Sequence, residues 1–203
     1  LKIILEESAK YAILAMGVYL TYSILDFPDL SVDGTLPFGA IIAAVLVLHA
    51  VNPWLALLLA FLGGCLAGAV TGVLHVKLKI RPLLCGILVF TALLSLNLVL
   101  IKLGTGGQSI ASIFGKTPIF NSAVVAWIPE QIGGLALKKL IILAIIVLLV
   151  KLLLDWYLKT KNGMLLRATG ANEQFVVMLA KNPGSAKILG LALGNGLAAV
   201  SGA

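Results

Sequence analysis

Between Gly34 and Val76 the chain runs through 43 positions without an aspartate, glutamate, lysine or arginine. A helix needs only about 20 apolar residues to cross a hydrocarbon core, so this run predicts two helices. They part at Asn52-Pro53, because proline lacks the backbone donor that a helix interior uses and starts helices well. Further apolar runs predict helices over 11–25, 82–101 and 140–158, and a sixth opening near Ile188 and still running at Ala203. That last run rises about 24 Å as a helix, short of a full crossing. It reads as cut off, and a chain that opens on Leu1 reads as part of a longer one.

Composition agrees with the pattern. The chain is 61% hydrophobic and 11% charged, with a mean hydropathy of +1.11, values that a soluble domain of 203 residues cannot hide from water. The expected fold is all-α: a polytopic transmembrane helical bundle of about six spans, forming one domain over 1–203. Its lipid-facing surface makes the bilayer its first partner. The net charge of +7 belongs to the loops and comes with no basic aromatic groove, so no nucleic acid is implied.

Loop charge also orients the bundle. Lys77, Lys79, Arg81, Lys159, Lys161, Arg167, Lys181 and Lys187 fall on one side by alternation, which the positive-inside rule assigns to the cytoplasm. Lys2, Lys10, Lys102, Lys116, Lys138 and Lys139 fall on the other, eight against six. The N-terminus then lies outside, and Glu6 and Glu7 argue against a cleavable leader.

Two interruptions carry most of the interest. The first, 159–187, is a polar, basic loop between apolar runs. Within it Asn172 can cap a short helix starting at Glu173, Phe175 and Leu179 fall on one face, and Asn182-Pro183-Gly184 stops the helix. Phe175, Val176 and Leu179 need a cover that water cannot supply, either a partner protein or lipid headgroups. The second, Asp26 to Gly34, is acidic and broken by Pro28. Inside the membrane it would line a protein-walled pathway, with Asp29, Ser31, Asp33 and Gly34 as candidates; in the cytoplasm it would be a solvated loop.

Other candidate chemistry is sparse. Cys65 and Cys85 lie in predicted helices without a Cys-x-x-Cys pair or a histidine at ligand spacing, so they read as packing residues and no metal site is expected. His49 and His75 sit near helix ends with no carboxylate beside them, and no chemistry is assigned to them. Gly115-Lys116-Thr117 imitates the end of a phosphate-binding loop, but Ile110 stands where that motif needs glycine. Gly64, Gly68 and Gly72 form a small-residue ridge that suits close helix packing. Asn97 is polar at depth, able to bridge helices or join the pathway. Lys151 and Asp155 can pair at i, i+4 within one span. The segment 104–137, with Trp127 and Pro129, forms a long outer connection that suits an interfacial helix or a docking surface.

The segments DLSVDGTLPFGA at Asp29 to Ala40, GMLLRATGANEQ at Gly163 to Gln174 and GLALGNGLAAVSGA at Gly190 to Ala203 resemble permease subunits of binding-protein-dependent ABC importers. The resemblance is to the branched-chain amino acid and ribose permease superfamily, nearest the tryptophan/tyrosine-type group, in which a leading DFPDLSVDG is typical. It implies that Arg167, Ala168, Thr169, Gly170, Asn172 and Glu173 form a cytoplasmic element that docks on the ATP-binding subunit. Gly170 would give a flexible lead-in, and Phe175 with Leu179 the apolar knob. It implies a second permease copy, cassette subunits that hold the ATP, and an extracytoplasmic solute-binding protein. The chain itself would bind no cofactor and catalyse no reaction. Its place would be a bacterial-type plasma membrane, its solute an amino acid or similar small molecule, and further spans would follow Ala203. The competing reading is an ion-coupled secondary transporter using Lys151, Asp155 and the Asp26 to Asp33 carboxylates. A membrane-embedded enzyme ranks below both, because no catalytic side chains cluster at one depth.

Overall fold

A computed structural model describes residues 2–107 and 138–203 of the chain. Gly115-Lys116-Thr117, Trp127 and Pro129 lie outside the described residues. Every regular element among the described residues is helical: α1 (Lys2–Val18), a π-helical turn (Tyr19–Ile24), α2 (Val32–Leu48), α3 (Pro53–Leu78), α4 (Pro82–Gly104), α5 (Lys138–Lys159), α6 (Lys161–Ala171), α7 (Glu173–Met178) and α8 (Pro183–Gly202). The chain is an all-α, polytopic helical membrane protein. Among the described residues three helices, α3, α4 and α5, are long and apolar enough by themselves to cross a bilayer. Helix α2 is apolar but shorter, at 17 residues.

Local signals set most boundaries. Asn52 caps α3 by accepting the Trp54 backbone N–H at 3.1 Å, and Pro53 occupies the first helical position. The long apolar run is thus split where the sequence predicted. Pro82 likewise opens α4, there without a side-chain cap. The first helix differs from expectation by starting at Lys2 rather than Tyr11. Its polar first turns are helical too, with Lys10 and Glu7 paired at 2.6 Å on an exposed face.

The last helix also starts earlier than expected. Asn182-Pro183 does not stop α7; it begins α8, with Asn182 accepting the Gly184 N–H at 2.9 Å and Pro183 in the first turn. The end of α7 is made upstream, where Ala180 takes a left-handed φ of 53°. Both residues are good helix starters, and a start signal placed two residues after a stop reads in sequence as the stop itself.

Helix α8 is the centre of the bundle and packs against α1, α2, α3 and α6. The Gly64-Gly68-Gly72 ridge of α3 faces it. A Cβ at Gly68 would overlap the Leu191 carbonyl, and one at Gly72 would lie 2.8 Å from the Ile188 Cα. Backbones this close gain dispersion contacts that larger side chains would prevent. One apolar cluster joins Leu20, Ile24, Leu25, Phe27, Leu158, Leu166 and Leu191, and a second joins Phe38, Ala67, Val89 and Leu93. Cys65 and Cys85 are free thiols, and Cys85 donates to Ile80 O at 3.6 Å. The rings of His49 and His75 each meet a backbone carbonyl, of Val45 and Ile80, at 2.8 Å.

Candidate functional site

The acidic connection after α1 is not a simple turn. The π-helical turn, Tyr19–Ile24, is wound more loosely than the α-helix before it, and two residues beyond its end Asp26 turns the chain with a left-handed φ of 55°. Residues 26–30 then run without regular structure to α2. Such backbone makes few hydrogen bonds of its own and must borrow them. Asp29 supplies one by accepting the Ser31 N–H at 2.8 Å, the geometry of an Asx turn.

Around that turn lies a buried polar knot built from four elements. Asp29 Oδ1 also accepts the Ser31 hydroxyl at 2.6 Å, and Asp29 Oδ2 accepts Asn195 Nδ2 at 2.6 Å. The second Asn195 amide proton goes to Leu191 O at 3.1 Å, while Asn195 Oδ1 accepts the Thr35 hydroxyl at 2.9 Å. The Ser31 hydroxyl also stands 3.1 Å from Asn195 Oδ1, but its single proton goes to the nearer, charged Asp29. Thr71 Oγ1 lies 3.2 Å from Ser31 Oγ and donates to it or to Ala67 O. Ser31, Thr35, Thr71 and Asn195 are each 0% exposed.

The proton count fixes the Asn195 amide. Turning it over would face its oxygen to the Asp29 carboxylate and to Leu191 O, acceptors all, with no proton between them. Every donor in the knot therefore has an acceptor, which is what allows four fully buried polar side chains here, beside an Asp29 carboxylate that is only partly buried.

The knot also sits well inside the helical layer. Thr71 is about 10 Å from the end of α3, and Asn195 about 18 Å from the start of α8, at 1.5 Å per residue. Leu30 lies against the first turns of α4, where a Cβ at Gly86 would be 2.7 Å from the Leu30 N. The connection thus packs against α3, α4 and α8 through Phe27, Ser31 and one side of Leu30, while Asp26 and Pro28 stay exposed. Phe27 meets the His75 ring edge-on at 5.1 Å.

Of the pathway candidates, only Asp29 and Ser31 belong to this knot. Asp33 is exposed in the first turn of α2, and Gly34 packs on Phe90 and Leu93 of α4. Asn97 is 5% exposed, and neither of its amide atoms has a hydrogen-bond partner among the described residues. Among the described residues no ion pair joins Lys151 to Asp155, and both are exposed on α5. The i, i+4 spacing permits a pair but supplies no enclosure to hold it. Asn195, Thr35 and Thr71 escaped sequence reading; the one available signal was a lone amide in the otherwise small and apolar run from Gly190 to Val200.

The second site is the segment between α5 and α8, and it is more ordered than a loop. Thr160 caps α6, which carries Arg167, Ala168, Thr169 and Gly170 within its length. Gly170 is not a flexible lead-in: it is helical, and a Cβ there would overlap the Ile24 carbonyl at the end of the π-helical turn. Glycine is needed at this position for contact, not for freedom. Thr169 is buried and donates to Leu165 O at 2.8 Å, while Arg167 is exposed.

Asn172 then caps α7 by accepting the Phe175 N–H at 3.1 Å. Only Val176 of α7 turns inward, at 0% exposure, which removes it from the uncovered face. Phe175, Val177, Met178 and Leu179 stand 53–81% exposed. Leu179 caps the helix rather than extending it. Glu173 accepts from Lys187 of α8 at 2.8 Å, tying the two elements together.

Comparison with known proteins adds a family. The model described as "Branched-chain amino acid transport system / permease component" matches residues 1–203. A tyrosine transport system permease protein from Clostridioides difficile is 41% identical over 98% of this chain and 61% of its own length. A fructose import permease protein from Bifidobacterium longum is 29% identical over 98% of the chain and 52% of its own. The chain therefore spans less than two thirds of the length of these curated relatives. No solved structure matches.

Proposed function

The chain belongs to the branched-chain amino acid transport system / permease component family, and on that premise we propose that it is the transmembrane subunit of a binding-protein-dependent ABC importer. It works as a multi-pass subunit of a bacterial-type plasma membrane, paired with a second permease copy. An extracytoplasmic binding protein delivers the solute, and cassette subunits on the cytoplasmic side bind and hydrolyse ATP. The solute is an amino acid or related small molecule, a reading supported by the 41% identity to a tyrosine permease against 29% to the fructose permease.

One observation carries the reading. Helix α7 is only 6 residues long, lies outside the long apolar helices, and with its C-cap still exposes four large apolar side chains, Phe175, Val177, Met178 and Leu179, on either side of buried Val176. An apolar patch of this kind on a charged surface marks a protein contact. Asn172, Glu173 and Gly170 hold it in place through the cap, the ion pair and the packing described above, with Arg167 exposed beside them.

The test is capture of the ATPase encoded beside the full-length permease. Wild type should retain it. A variant lacking 172–182, and the single change Phe175→Asp, should lose it while inserting normally, since neither alters a long apolar helix. Capture by Phe175→Asp at wild-type level would remove α7 as the docking element. No capture by wild type would favour an ion-coupled transporter.

A further inference from the structure

The α1–α2 connection has little backbone structure of its own, yet it is pinned on three sides. Asn195 of α8 holds Asp29 at 2.6 Å, Thr71 of α3 reaches Ser31 at 3.2 Å, and α4 lies against Leu30. Two of its neighbours also belong to the α6–α7 side of the molecule. Helix α8, which carries Asn195, is tied to α7 through Lys187 and Glu173. Helix α6 packs on the π-helical turn that leads into the connection, with Gly170 against the Ile24 carbonyl.

We propose that Asn195 is a positioning residue for transport: its amide locks the Asp26 to Ser31 connection shut against α8, and movement of α6–α7 releases it. The proposal rests on the importer reading for the source of that movement. An irregular segment held by side chains can have two discrete arrangements, locked and released, which a continuous helix cannot easily offer. The hydrogen bonds of the knot supply the locked state; water replaces them in the released one.

Cys85 reports which state is present. It is 0% exposed, beside Gly86, whose backbone touches Leu30 of the connection. Alkylation needs the thiolate and therefore water, so release of the connection should expose Cys85 to N-ethylmaleimide. The experiment uses the complete transporter in lipid nanodiscs, in a Cys65→Ser background, with labelling of Cys85 timed with and without ATP.

Wild type should label slowly without ATP and faster with it. Asn195→Ala should label about tenfold faster without ATP and lose most of the ATP effect, as expected for a lost buried hydrogen bond to a charged group. Asp29→Asn keeps the shape of the connection and serves if Asn195→Ala does not fold. Whichever way its new amide turns, one NH2 group faces a donor, either Asn195 Nδ2 or the Ser31 N–H. Folded variants that label at the wild-type rate, with the wild-type ATP effect, would overturn the lock. An ATP effect absent in wild type would overturn its release by α6–α7. If no ATPase associates, the importer reading fails, and the lock itself still stands or falls on the nucleotide-free rates of the two variants.

Discussion

The knot at Asp29 and the face of α7 are opposite solutions to misplaced chemistry. One gathers polar side chains in a largely buried place; the other is apolar on a charged exterior. In the knot every donor finds an acceptor within the same chain, from Asn195 to Leu191 O. On α7 the uncovered side chains have no such partner within the described chain, and Met178 is 81% exposed. A site completed inside the chain belongs to folding, whereas a site that waits for another surface belongs to assembly. Damage to the first should be read in stability, and damage to the second in binding.

That contrast can be broken most sharply at Asn195. Asn195→Leu leaves an Asp29 oxygen without its donor, while the Thr35 hydroxyl keeps Val32 O at 3.0 Å, and should lower stability by roughly 2 kcal/mol. Thermal unfolding in detergent measures it; an unchanged midpoint would mean the knot does not hold the fold. Phe175→Asp should do the reverse, sparing the unfolding midpoint while weakening ATPase capture by about 2 kcal/mol, the size of a binding hot spot.

Smaller effects sharpen the same division. Asn172→Ala removes the α7 cap, which costs about 1 kcal/mol of local helix stability and should reduce partner affinity several-fold. Titration of the purified ATPase against both forms decides it. Glu173→Gln should matter least, below about 0.5 kcal/mol, because its carboxylate is 52% exposed and solvent screens the pair with Lys187. A salt titration that erased a larger effect would show the pair to be more enclosed in the complex than in the isolated chain.

Much of the fold was legible because its signals are local. Asn52-Pro53 divides the long apolar run, and Asn172 starts α7, since capping depends on backbone groups within three residues. The same locality misleads at Asn182-Pro183, where a start signal sits so near the preceding end that it reads as the stop. It misleads again at Gly170. Glycine in sequence suggests freedom, but here the missing side chain makes room for the Ile24 carbonyl. The sequence puts Val176 on the uncovered face because six residues fix a helix's periodicity but not its rotation against neighbours.

Sequence alone determined that this chain is a helical membrane protein, where most of its helices break, and that something must cover the segment after α5. Those conclusions follow from hydropathy, caps and charge, each a property of a few neighbouring residues. Tertiary structure alone decided that Asp29 meets Asn195, 166 positions away, and that the acidic connection packs against α3, α4 and α8. Which polar side chains share a depth depends on how far each helix slides and turns against the next. Close packing at Gly64, Gly68 and Gly72 sets that register, and no local pattern encodes it.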